Sequence, residues 1–251
     1  MDKNSNAYTF IFSIAMVFVV AIVLSFLATS LKPMQSKNVK QEKMQNILST
    51  FVGDSIEVDG QMKELTRELA SEKFDEYIKN QYALNNNGEN VESANAFDIK
   101  LSNEIKKPIE EQVFPLYEAE YKGKSFYVIP LRGSGLWDAI WGYVALKDDL
   151  NTIEGVIFDH KGETAGLGAE ITTDWFQERF KNEKIYNDKD KIVGVEVKKG
   201  YSGGNDKDDN KVNAISGATI TGDGVTNMME ERLKRYKPFF QKLKNTKLAI
   251  R

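Results

Sequence analysis

Hydrophobic and polar positions divide this chain into stretches of different period. Phe10 to Leu27 is apolar apart from Ser13 and Ser25, and the nearest charged residues are Lys3 and Lys32. A helix over 8–31 has the length to cross roughly 30 Å of hydrocarbon, so the pattern predicts one membrane span. A cleaved signal peptide is the competing reading. Its apolar core is normally only about 7–15 residues long, and here the single lysine before the run is offset by Asp2, so the expectation is an uncleaved anchor. No later run is long and apolar enough to span, and the chain after Lys32 is expected to be one water-exposed portion tethered to a bilayer.

Helical spacing follows at 38–52, with Met44, Ile47, Leu48 and Phe51, and at 60–80, with Leu65, Leu69, Phe74 and Ile78. Asn85 to Asn95 reads as a loop, and Pro108 and Pro115 mark the passage into the main domain. From Leu116 the period shortens. Residues 117–121 and 126–129 flank Lys122-Gly123-Lys124-Ser125 as a β-hairpin does, and Trp141–Leu146 and Thr152–Asp159 read as two further strands. Ile192 to Lys198 alternates like a half-buried strand, and residues 200–205 break it. Val225, Met228, Met229, Leu233 and Tyr236 then predict an amphipathic helix near 222–243. The predicted fold class is α+β: an antiparallel sheet with packed helices, preceded by one N-terminal transmembrane helix. The expected division is an anchor at 1–31, a helical linker region at 32–110 and a main domain at 111–251.

Composition narrows the chemistry. A chain of 251 residues, 41% hydrophobic and 28% charged, can bury one good-sized core. A net charge of −3 gives no argument for a nucleic-acid partner. Without cysteine there are no disulfides, thiolate-held iron–sulfur clusters or cysteine catalysis, and with His160 alone a histidine-rich zinc or haem site is not expected. Asp206 to Asn210 lacks the glycine and distal glutamate of a calcium-binding loop and reads as a solvated turn. The lysines and arginines after Glu231 read as a solvated helix face, with contact to anionic lipid or an acidic partner protein as the alternative.

Three segments carry candidate chemistry. Ser216-Gly217-Ala218-Thr219-Ile220-Thr221 lies at the entry of the predicted C-terminal helix, where unpartnered amides and the positive end of the macrodipole suit a phosphate. An ordinary N-cap by Ser216 or Thr219 fits the same residues. His160 to Gly168 follows a strand and brings a histidine, the carboxylate of Glu163 and the hydroxyl of Thr164 into one glycine-rich turn. Gly133-Ser134-Gly135-Leu136-Trp137 precedes the Trp141 strand, and two aromatics buried in a hairpin core would account for it locally. It lacks the third glycine of a nicotinamide-binding fingerprint and opens no βαβ unit, so neither NADH binding nor reaction with quinone is expected of this chain. No residue is assigned a catalytic proton transfer, and no metal site is expected.

Ser216-Gly217-Ala218-Thr219 resembles the flavinylation motif of FMN-binding domains, in which the final threonine carries FMN through a phosphoester to its side-chain oxygen. The resemblance implies Thr219 as the covalent site, with Ser216, Gly217 and Ala218 beside it. Glu163 to Gly168 resembles the family's Glu-Thr-Pro-Gly-Leu-Gly loop, with Ala165 in place of proline, which implies flavin contacts by Glu163, Thr164, Leu167 and Gly168. Gly133 to Trp137 is similar to the Gly-x-Gly-Leu-Trp segment found in the C subunits of Na+-translocating NADH:quinone oxidoreductases. With the anchor, the resemblance covers essentially the whole chain. It departs at Asn213, where many flavinylated members carry aspartate.

What the resemblance implies is a membrane-anchored subunit with FMN as cofactor, relaying electrons between other subunits of a membrane redox complex after maturation by a flavin transferase. It places the large domain on the outer side of the bacterial cytoplasmic membrane. Lys32, Lys37, Lys40 and Lys43 follow the span and by the positive-inside bias point the other way. The G subunits of Rnf-type ferredoxin:NAD+ oxidoreductases share the anchor and the threonine and are the alternative, while the long segment before the hairpin and the Gly-Leu-Trp stretch favour the quinone-reducing complex. A non-redox scaffold of the same fold is the alternative from another class, and intact Thr219, Glu163 and Thr164 count against it.

Overall fold

The computed structural model describes residues 5–201, 203 and 206–249, with side chains described through 246. It separates into two units, the first ending at Lys43 and the second beginning at Met44. Helix α1 (Asn6–Val52) contains Pro33 without ending there. From Thr9 to Lys40 every residue on it is exposed, Phe10, Phe18 and Phe26 included. It is one helix long and apolar enough to cross a membrane. The helices expected at 8–31 and 38–52 are thus continuous.

In the second unit, Ile47, Leu48 and Phe51 at the end of α1 are buried. Residues 60–80 depart from the helical expectation at both ends. Strands β1 (Ser55–Val58) and β2 (Gln61–Glu64) form an antiparallel hairpin instead. Its two-residue turn is Asp59-Gly60, both at positive φ, the combination that matches strand twist. Helix α2 (Arg67–Tyr77) begins at Thr66, whose hydroxyl accepts from the Leu69 amide. Ile78, at helical spacing from Phe74, is instead the first residue of strand β3 (Ile78–Leu84) and pairs with Ala119.

After the short helix α3 (Leu101–Glu104) come β4 (Phe114–Tyr121), β5 (Lys124–Ser134), β6 (Ala139–Lys147) and β7 (Ile153–His160). With β3 they form a five-stranded antiparallel sheet in chain order. Pro115 lies inside β4 rather than before it. It faces Ala83, and β4–β5 pairing begins only at Tyr117, so its missing N–H breaks no bond to β5. Lys122 and Gly123, both at positive φ, make the tight turn into β5.

Period-two alternation supplies a separate core to each face of this sheet. Leu116, Tyr127, Ile129, Leu131, Val144 and Leu146 face one cluster. Tyr117, Ala119, Phe126, Val128 and Ala145 face the other, together with Ile47, Leu48, Phe51 and Phe74. Each large apolar side chain so buried contributes about 1.5–3 kcal/mol.

The first face is covered by the chain beyond β7, including the short helix α4 (Asp174–Gln177) and the parallel pair β8 (Glu196–Lys198) and β9 (Lys211–Asn213). The strand expected over 192–198 is shortened to β8, since Gly194 adopts φ +69° and breaks the extended run. Ser202, Gly204 and Asn205 of the expected break lie outside the described residues. The helix expected at 222–243 is two: α5 (Thr219–Arg235) and α6 (Lys237–Ala249). They meet at buried Tyr236, whose hydroxyl donates to the Pro115 carbonyl at 2.9 Å. Pro238 then sits in the first turn of α6, where its missing N–H costs nothing.

Candidate functional site

The three candidate segments converge where α5 starts. Helix α5 lies so close to the end of β5 that a Cβ at Gly133 would stand 2.7 Å from Met228 Cβ, and one at Gly224 would collide with the Ser134 carbonyl. Glycines at these two crossings let helix and strand touch, which brings the 135–138 turn beside the helix N-terminus. That turn is closed by the Gly135 amide donating to the Asp138 carbonyl at 2.8 Å.

Glu163 links the three segments. It is only 7% exposed. Its Oε1 accepts from the Trp137 amide at 2.9 Å, and its Oε2 accepts from Thr221 Oγ1 at 2.5 Å. Burial, the largest single influence, pushes the carboxyl pKa up. The Thr221 hydroxyl and the amides of Trp137, Leu136 and Asp138 outweigh it and hold the pKa below the ordinary value of 4.5. The carboxylate is packed between glycines. A Cβ at Gly135 would stand 2.5 Å from Oε1, and one at Gly168 would stand 2.5 Å from both Oε2 and Thr221 Oγ1. His160 joins as an acceptor, its Nδ1 receiving the Glu163 amide at 3.1 Å.

Above this buried bracket the surface is part apolar and part hydroxyl. Trp137 is 69% exposed, so the reading of two aromatics buried in a hairpin core does not hold for it. Its indole Nε1 donates to Thr164 Oγ1 at 3.1 Å. Leu136, Leu167 and Ile220 are exposed beside these elements. A cavity of about 320 Å3 runs along the 132–139 segment, lined among others by Lys106, Arg132, Leu136 and Trp137. Gly217 takes φ +79° against Leu167, where a Cβ would meet Leu167 Cδ2 at 2.7 Å. The Gly168 backbone begins the single turn that follows the loop.

The helix start itself is uncapped. Ala218 is the N-cap and makes no side-chain bond, so neither Ser216 nor Thr219 caps α5. The amides of Thr219, Ile220 and Thr221 have no hydrogen-bond partner among the described residues. Ser216 and Thr219 are exposed, whereas Thr221 is 1% exposed. An exposed hydroxyl beside three free amides at the positive end of a 17-residue helix is suited to a phosphate ester. Asn213, at the end of β9, is exposed, and its carbonyl accepts from Arg179 Nη1 at 2.5 Å.

Sequence reading brought together Glu163, Thr164, Leu167, Gly168 and 216–219, and the structure places them in one neighbourhood. The exposed indole of Trp137, in the segment singled out, and buried Thr221 lie in the same neighbourhood, and neither placement was read from the sequence.

The FMN-binding domain family matches residues 135–234, a range that holds Leu136, Trp137, Glu163, Thr164, Gly168 and the 216–221 segment. The C subunit of the Na(+)-translocating NADH-quinone reductase of Neisseria meningitidis serogroup B is 28% identical over 97% of this chain and 96% of its own. Its counterpart in Chlamydia muridarum is 37% identical over 47% of this chain and 42% of its own. Among solved structures, the C subunit of the same reductase from Parabacteroides distasonis is 35% identical with a TM-score of 0.70, covering 84% of this chain and 96% of that one. NqrC of Shewanella oneidensis is 27% identical with a TM-score of 0.67, covering 82% and 98%. All four carry the C-subunit name, none that of the Rnf-type protein, and with FMN as its cofactor the chain belongs to the C-subunit family of the Na+-translocating NADH-quinone reductase.

Proposed function

We propose that this chain is a membrane-anchored relay that holds FMN covalently on Thr219 and passes electrons between other subunits of a membrane redox complex. The observation that carries the assignment is the state of Thr219: exposed, without a cap role, and flanked by the free amides of residues 219–221. FMN supplies one- and two-electron exchange when bound. The protein holds the phosphate at the α5 N-terminus and offers Leu136, Trp137, Thr164, Leu167 and Ile220 as the surface against which a flat ring can rest. Ser216, Gly217 and Ala218 shape the turn before the ester, and Glu163 and Gly168 support it from below. Lys106 and Arg132 line the adjoining cavity and would favour negative charge on a group placed there.

In this reading α1 embeds residues 8–31 in the bacterial cytoplasmic membrane. Residues 32–110 connect and buttress the flavin-carrying part at 111–251. The large domain stands on the outer side, where a flavin transferase attaches FMN. Ester attachment keeps the cofactor from diffusing away outside the cytoplasm, and the anchor raises the effective concentration of the domain near its partners.

The test is mass spectrometry of the peptide spanning Ser216 to Thr221 from natively expressed protein. The expected result is FMN mass on Thr219 in the natural chain and its loss in Thr219→Ala, with the variant still folded. FMN on no residue of this peptide would overturn covalent attachment at this segment.

A further inference from the structure

The segment Thr219-Ile220-Thr221 offers two threonine hydroxyls to any enzyme that modifies it, and the structure treats them in opposite ways. Residues two apart on an α-helix point about 200° away from each other, so holding one inward turns the other outward. Thr221 is held inward, 1% exposed, with its hydroxyl proton donated to Glu163 Oε2 at 2.5 Å. Glu163 cannot easily yield. Its other oxygen is fixed by the Trp137 amide, and Gly135 and Gly168 close around the carboxylate with no room for a methyl group.

We infer that Glu163 is the positioning residue that decides which threonine receives FMN, by sequestering Thr221 and presenting Thr219. The inference rests on the covalent reading above and deepens it. In the transfer, Thr219 Oγ1 forms a new bond to the FMN phosphorus of a flavin dinucleotide. The phosphoanhydride bond to the nucleoside monophosphate breaks, the hydroxyl proton passes to a base of the transferase, and nothing is oxidised or reduced. Thr221 has an equivalent oxygen and lies on the same turn, but a phosphorus cannot approach it while the carboxylate holds it in the core. Glu163 therefore acts through Thr221 and the 136–138 turn.

The experiment expresses the full chain with its transferase and locates FMN by peptide mass spectrometry. The natural chain should carry FMN on Thr219, and Thr219→Ala should carry none. Adding Glu163→Ala to Thr219→Ala should release Thr221 and bring FMN on it to at least tenfold above the detection limit at which the single variant shows none. Glu163→Asp in the same background, shorter by one methylene, keeps the negative charge and should also release Thr221, so it decides the matter if the alanine form does not fold. Glu163→Gln, which keeps length and an acceptor, should restore protection. Folded Glu163→Ala and Glu163→Asp forms without FMN on Thr221, or FMN on Thr221 with Glu163 intact, would overturn the inference while leaving the covalent reading in place. A natural chain without FMN on Thr219 overturns both.

Discussion

The indole Nε1 of Trp137 and the hydroxyl of Thr164, 27 residues apart, hydrogen-bond on the exposed side of the site, directly above the buried Glu163 carboxylate that accepts the Trp137 amide. One residue is thus held twice, by its backbone from below and by its side chain from the side. A largely exposed tryptophan fixed in this way is a rigid platform rather than a core residue, and aromatic surface of this kind is what a flat heterocycle packs on.

Replacing Trp137 with phenylalanine removes the side-chain bond and keeps an aromatic face. A single exposed hydrogen bond contributes about 0.5–1.5 kcal/mol, so the variant should fold and retain FMN. Alanine at the same position removes the platform. Redox titration and absorbance spectra of the flavinylated proteins should show little change for Trp137→Phe and a clear shift for Trp137→Ala, and an unshifted alanine variant would remove Trp137 from the flavin surface.

Glu163 gives the domain a pH dependence of definite sign. Its pKa is lowered on folding, so the unfolded chain takes up a proton first as pH falls. The stabilisation it provides is fully present above its unfolded value, near 4.5, and is lost as pH drops through the lower folded value. Urea unfolding of the natural chain and of Glu163→Gln should differ most near neutrality and converge in acid. A gap that widened in acid would mean that the carboxylate is not stabilised by its amides and Thr221.

How much of this was legible in the sequence depended on range. The strands after Leu116 were readable because both faces of the sheet are buried, which leaves short apolar runs bounded by turn residues, and the site motifs were readable as short runs. The β1–β2 hairpin was hidden because Leu65, Leu69 and Phe74 carry a helical spacing that overlaps it, although Asp59-Gly60 was a turn signal in plain view. Ile78 fits the helix period locally and is claimed by pairing with Ala119, a contact no local pattern announces. The same holds for Thr221 and Glu163, 58 residues apart. The motif gave the hydroxyls, and only the fold distinguishes the exposed one from the buried one.

Gly168 offers a test of how tightly that buried bracket is packed. A methyl group there would sit 2.5 Å from Glu163 Oε2 and Thr221 Oγ1, so Gly168→Ala should cost about 1–3 kcal/mol as the two oxygens are forced apart. Gly162, six residues earlier in the same loop, has nothing within 4 Å of the corresponding position. Gly162→Ala should therefore leave the unfolding midpoint within about 0.5 kcal/mol of the natural chain, as surface changes usually do. Equal effects of the two substitutions in denaturant titrations would show that the bracket can relax around an added methyl.

Topology sets the charge rule against the proposed site of flavin attachment. Lys32, Lys37, Lys40 and Lys43 follow the apolar run, and positive charge beside a span is ordinarily retained in the cytoplasm. Attachment of FMN on the outer side requires the domain beyond them to be exported. The four lysines lie on the exposed part of α1 or at its edge. The expected outcome is that a protease added to cells stripped of outer barriers digests the domain, and that a reporter fused after Arg251 is active only in its exported form. Protection from the protease, with the reporter active in its cytoplasmic form, would establish the lysines as the controlling signal and place the flavin site on the inner side.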